Sequence, residues 1–104
     1  MKEMKYNIKH DVKAQKFFTV IGGKECSLRY DKISEQLLNF KMIYVPKNLR
    51  GQGIAGKIME YAFSYLKKNM AKCKVSCNYI DEFLNKNKEY LEFISREDMT
   101  LLEA

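Results

Sequence analysis

The residues best equipped for chemistry lie in one stretch, Val45-Pro46-Lys47-Asn48-Leu49-Arg50-Gly51-Gln52-Gly53-Ile54-Ala55-Gly56-Lys57. It leads from a run of apolar residues into an amphipathic one, and so reads as the turn between a strand and a helix. Gly51, Gly53 and Gly56 carry no side chains, so backbone N–H groups there can approach a ligand closely and the chain can turn sharply. The N–H groups of a helix's first turn have no partner inside the helix and lie at the positive end of its dipole. A phosphate or pyrophosphate fits such a place. Arg50 and Lys57 add formal positive charge beside it.

Glycine spacing alone is promiscuous, and three other readings compete. Gly51 to Gly56 followed by Lys57 has the spacing of a P-loop, but Ile58 stands where the magnesium-binding hydroxyl belongs. Gly51, Gly53 and Gly56 also spell a dinucleotide fingerprint. That motif belongs at the start of a βαβ unit, and here the second strand offers no acidic residue for a ribose. The third reading is that the glycines only permit a tight connection.

Elements that could position this stretch follow from hydrophobic periodicity. Residues 5–9 and 16–21 read as strands, and Gly22-Gly23 supplies a tight hairpin turn into a third strand at 25–33. Residues 37–45 form the longest apolar-rich strand, ended by Pro46. Beyond it the period changes. Ile54, Ile58, Ala62, Tyr65 and Leu66 recur at helical spacing over 53–66, opposite Lys57, Glu60, Ser64, Lys67 and Lys68. A short strand at 72–77 and a shorter amphipathic helix at 79–87 follow, with Ile80, Phe83 and Leu84 inward. Residues 90–104 are weakly patterned, and their last part is expected to fray. A strand, helix, strand succession requires a crossover joining parallel neighbours. The expected fold is therefore α/β (α+β): a mixed sheet with antiparallel N-terminal strands and helices on its faces, spanning 1–104 as one domain.

With 104 residues, the chain suffices for a single core that buries roughly 65% of the unfolded surface. A 46% hydrophobic and 31% charged composition excludes disordered and low-complexity classes. The net charge of +6 favours an anionic partner. No apolar run approaches the ~20 residues of a membrane-spanning helix, and no export signal is visible. Cys26, Cys73 and Cys77 are an odd set, which suits reduced thiols in a cytoplasmic protein better than a disulfide framework. No metal is expected, since Cys73 and Cys77 have no second pair and His10 is the single histidine. Lys67, Lys68, Lys72, Lys74, Lys86 and Lys88 read as a solvated face and not as a nucleic-acid site, because no groove-reading helix accompanies them.

Arg50-Gly51-Gln52-Gly53-Ile54-Ala55 resembles the Arg/Gln-x-x-Gly-x-Gly/Ala signature of GNAT-type N-acetyltransferases. Val45-Pro46 ahead of it and Cys77-x-Tyr79 after the helix resemble the very short, single-domain members of that family. His10-Asp11 and Phe18-Thr19-Val20 add to the likeness, which covers about residues 5 to 94. The resemblance implies acetyl transfer from acetyl-coenzyme A to an amine of a protein, peptide or small molecule. The pyrophosphate would sit on the backbone from Arg50 through Gly51, Gln52, Gly53, Ile54 and Ala55 to Gly56 and Lys57. The pantetheine arm would pair with the strand end at Ile43, Tyr44 and Val45. A monomer is expected.

Under that resemblance, Cys77 and Tyr79 become the candidates for chemistry. A thiol at a helix N-terminus can be activated, so Cys77 is either an acyl acceptor or a small buried apolar residue; Cys73, on the same strand face, and Cys26 read as packing. Tyr79 could protonate the departing thiolate. Met42 stands where relatives often carry a histidine, and His10 reads as a surface or turn residue. The alternative function is an acyl-coenzyme A binding module with little or no transfer.

Overall fold

The computed structural model describes residues 6–95. The elements run β1 (Lys9–Asp11), β2 (Lys16–Ile21), β3 (Lys24–Ser34), β4 (Leu37–Tyr44), a 3-10 turn (Lys47–Leu49), α1 (Ile54–Lys68), β5 (Lys72–Val75), α2 (Asn78–Lys86) and a second 3-10 segment (Lys88–Phe93). The five strands form one sheet in sequence order, with β1 to β4 antiparallel and β5 parallel to β4. The mixed sheet with its crossover helix is the architecture that the residue pattern predicts.

Local chemistry explains several boundaries. Ile21 pairs directly with Lys24, leaving Gly22 and Gly23 as a two-residue turn with φ of +57° and +78°. Two consecutive positive φ values are what a hairpin matching the strand twist demands. Helix α1 lays Ile54, Ile58, Met59, Ala62, Phe63 and Leu66 against the sheet, all buried. Each such large apolar side chain contributes about 1.5–3 kcal/mol of burial. Phe63 is the meeting point: Phe40 of β4 approaches it edge-on at 5.8 Å, while Phe83 of α2 and Tyr90 stack on it at 6.5 and 4.6 Å. On the opposite sheet face Val20, Met42 and Tyr44 remain about half exposed, so the helices gather on one side instead of covering both.

Three expectations require correction. The first strand pairs at Lys9–Asp11 and not over 5–9; Lys5 lies outside the described residues. The strand expected at 72–77 ends at Val75, which takes Cys77 out of the sheet and breaks the shared face with Cys73. The tail expected to fray beyond residue 95 lies outside the described residues.

His10 is the third correction. It is not a surface or turn residue but a member of β1, opposite Phe17. Its ring stacks on Phe17 at 4.2 Å, meets Tyr65 edge-on at 4.6 Å, and shares a 2.6 Å hydrogen bond between Nε2 and the Tyr30 hydroxyl. Burial lowers the imidazole from its ordinary 6.5, against an upward pull from Asp11. Burial, with Tyr65 and Asp11 adding to it, pushes the Tyr30 hydroxyl up to about 12. The fold thus favours the neutral imidazole. Its contribution is complete above the ordinary value and is lost as pH falls through the lowered native one. The melting temperature is therefore expected to fall more steeply between about pH 7 and 5 in the wild type than in His10→Phe. Equal slopes by calorimetry would uncouple His10 from folding.

Candidate functional site

The site is built where β4 and β5 part. Their ladder ends at Phe40 and Val75, and the Ser76 N–H still donates to the Phe40 carbonyl at 3.0 Å. The Ser76 hydroxyl donates to Asn39 Oδ1 at 2.8 Å, pinning the point of divergence. Beyond it β4 continues beside β3 alone, while the other chain turns away into α2.

A bulge lies at the same place. Arg29 pairs with Met42 and Tyr30 with Phe40, so Lys41 is an extra residue in β4. An extra residue reverses which face the following side chains take. Before it Leu38 and Phe40 point to the core. After it Ile43, opposite Leu28, takes the core face, and Met42 and Tyr44 turn outward.

The divergence opens a cavity of about 430 Å³ lined by Ile43, Tyr44, Val45, Leu49, Arg50, Gly51, Gly53, Ile54, Ala55 and Tyr79. One wall is the end of β4, another is the start of α1, and Tyr79 enters from the first turn of α2. The start of α1 is chemically open. Gly53 is its N-cap, in the left-handed region at φ +78°, with no side-chain cap and no acidic residue in the first turn. Most helices satisfy these N–H groups with a Ser, Thr, Asp or Asn oxygen. Here none does so, and a Cβ built on Gly51 or Gly53 meets nothing within 4 Å.

The residues singled out in the sequence divide as follows. Ile43, Tyr44, Val45, Arg50, Gly51, Gly53, Ile54, Ala55 and Tyr79 are brought together around this cavity. Gln52, Gly56, Lys57 and Cys77 are not among its lining. The Gln52 carbonyl accepts from the Tyr6 hydroxyl at 3.3 Å, and Lys57 Nζ lies 3.8 Å from Glu60 along the helix. Gly56 faces α2, where a Cβ would lie 3.8 Å from Phe83. Cys77 is the N-cap of α2 and is half-buried, packed against the core, with no cap hydrogen bond from its side chain. Leu49 was missed; it is the one apolar residue between Pro46 and Gly53 in the sequence, and that isolation was the available signal.

Arg50 has a specific partner. Its Nε–H donates to the Val45 carbonyl at 2.8 Å, across the base of the turn. Among the described lining residues, Tyr44 and Tyr79 bring O–H groups, beside the Arg50 guanidinium. Among the described residues, no histidine or carboxylate lines the cavity.

The fold and this divergence define a class, the acetyltransferase-like α+β domain. The solution structure of a GCN5-like candidate N-acetyltransferase from Staphylococcus aureus shares it at a TM-score of 0.69, with 21% identity, covering 86% of this chain and 88% of that one. Residues 16–93 match the sequence pattern of the GCN5-related N-acetyltransferases, and the chain belongs to that family. Its reaction class is acetyl transfer. Two curated relatives are similar over most of their length. Protein NATD1 of Gallus gallus is 25% identical over 91 residues, 84% of this chain and 83% of the relative. Protein NATD1 of Homo sapiens is 25% identical over 89 residues, 82% and 79% respectively. No helix among the described residues is long and apolar enough to cross a membrane.

Proposed function

We propose that the protein transfers an acetyl group from acetyl-coenzyme A to a primary amine. The observation that carries this reading is the uncapped start of α1, free of acidic residues, opening onto the cavity between the end of β4 and the first turn of α2. The pyrophosphate takes the N–H groups around Gly51, Gly53, Ile54 and Ala55, where the helix dipole favours negative charge. The pantetheine arm lies along Ile43, Tyr44 and Val45, the end of β4 and the residue after it, which β5 no longer pairs. It thereby adds a strand-like partner where the sheet lacks one.

Transfer then requires a neutral amine whose nitrogen attacks the thioester carbonyl. The C–S bond breaks, the acetyl stays on nitrogen, and the departing thiolate takes a proton. Tyr79 enters the cavity from the first turn of α2 with a phenolic O–H, and it is assigned as the donor. Cys77 lies off that lining and is given a packing role. Cys77→Ala is accordingly expected to retain the steady-state rate within about threefold in a thiol-release assay, and a loss of about tenfold or more would restore the thiol as acyl acceptor.

A second reading has its own observation. Because no histidine or carboxylate lines the cavity among the described residues, this reading sends the amine's proton to water. A protein that binds acyl-coenzyme A and transfers slowly is the alternative that this favours. Titration with acetyl-coenzyme A followed by an amine screen separates the two: both bind, and only the enzyme releases thiol in proportion to amine.

A further inference from the structure

Arg50 invites the reading of a phosphate ligand, since it is a cation at the mouth of an anion site. Its geometry is different. The Nε–H is spent on the Val45 carbonyl, 2.8 Å away and five residues back along the chain. That carbonyl is the last one before Pro46, at the end of the strand that forms one wall of the cavity. The bond therefore ties the strand end to the residue that opens the glycine segment. The 3-10 turn between them closes on backbone bonds, Leu49 N–H to Pro46 O at 2.9 Å and Arg50 N–H to Lys47 O at 3.3 Å, and its N-cap Pro46 brings no side-chain hydrogen bond. The segment that follows holds two glycines in the left-handed region, Gly51 and Gly53, which gives it little stiffness of its own.

We infer that Arg50 is a positioning residue: it latches the strand end to the turn so that the N–H groups of residues 51–55 are held ready for the diphosphate, and it does so through Nε and not through charge. This rests on the proposed acetyl-coenzyme A site. Bond counting supplies a clean separation of the two roles. Glutamine Nε2 lies the same number of bonds from Cα as arginine Nε, so Arg50→Gln keeps a donor at that reach and removes the charge. Lysine keeps the charge, but its nitrogen lies one methylene further out, so Arg50→Lys misplaces the donor.

The test measures the acetyl-coenzyme A dissociation constant calorimetrically for the wild type and for Arg50→Gln, Arg50→Lys and Arg50→Ala. Amide hydrogen exchange at residues 51–55 is followed in the ligand-free proteins. The expected result is that Arg50→Gln binds within about threefold of wild type, while Arg50→Lys and Arg50→Ala lose about tenfold. Exchange at 51–55 quickens in the last two only, with the rest of the chain unchanged. Affinity retained by lysine and lost by glutamine would make Arg50 a charge ligand and overturn the inference. Equal behaviour of all three variants, whether all weak or all tight, would overturn it as well. A wild type that fails to bind acetyl-coenzyme A refutes the parent reading instead; in that case the exchange pattern still decides whether the latch exists.

Discussion

Replacing Gly53 with leucine is expected to weaken acetyl-coenzyme A binding by about a hundredfold or more while the fold survives. Two charge-assisted hydrogen bonds at about 1.5–3 kcal/mol each are at stake once a side chain occupies the space before the α1 N–H groups. That space is real: a Cβ on Gly53 meets nothing within 4 Å, so a side chain starts into open space. It does incur backbone strain, because φ is +78°. A left-handed residue costs roughly 1–2 kcal/mol outside glycine, which lowers the melting temperature of a domain this size by several degrees, about 4–8 °C per kcal/mol. Gly22→Leu separates strain from blockage. It has the same sign of φ and the same open surroundings in a hairpin that contributes nothing to the cavity. It should show a comparable melting loss with unchanged affinity, and matching affinities for both variants would remove the anion site from α1.

Tyr79→Phe is expected to lower kcat by about a hundredfold, the lower part of the range for a positioned general acid, with the dissociation constant for acetyl-coenzyme A nearly unchanged. Tyr79 is half exposed in the first turn of α2 and lines the cavity together with Tyr44. A phenylalanine ring keeps the aromatic wall of the cavity and removes only the hydroxyl. Tyr44→Phe is the comparison, because it removes the other hydroxyl of the same cavity. A stopped-flow or thiol-trapping assay reads both. Equal rates in wild type and Tyr79→Phe would give the proton to water.

Much of this was legible in the residues. The Gly-Gly hairpin, the helix periodicity and the strand, helix, strand order led directly to the mixed sheet, because each is a local pattern with a local cause. His10 was misread because it was weighed as a lone polar residue. The alternation Tyr6, Ile8, His10 places it on the apolar face, where it meets Phe17. The early strand at 5–9 stopped short of His10 and Asp11, which pair with β2, while Tyr6 reaches toward Gln52.

What the sequence did not disclose is non-local. The bulge at Lys41 is a relation between two strands, and a strand's own residues do not state their register. The divergence depends on where β5 ends and on Ser76 meeting Asn39, partners 37 residues apart. Lys57 is a phosphate candidate by charge and spacing; its ammonium lies 3.8 Å from Glu60 and outside the described lining of the cavity. Arg50 looked like one too, and its hydrogen bond runs back into the protein.

The most direct measurement is an NMR titration of the uniformly labelled protein with acetyl-coenzyme A, following every assigned amide. The account predicts the largest shifts at residues 51–55 and along 43–45, with saturation at a common affinity. Saturable shifts centred elsewhere, or silence at the amides that begin α1, would contradict it.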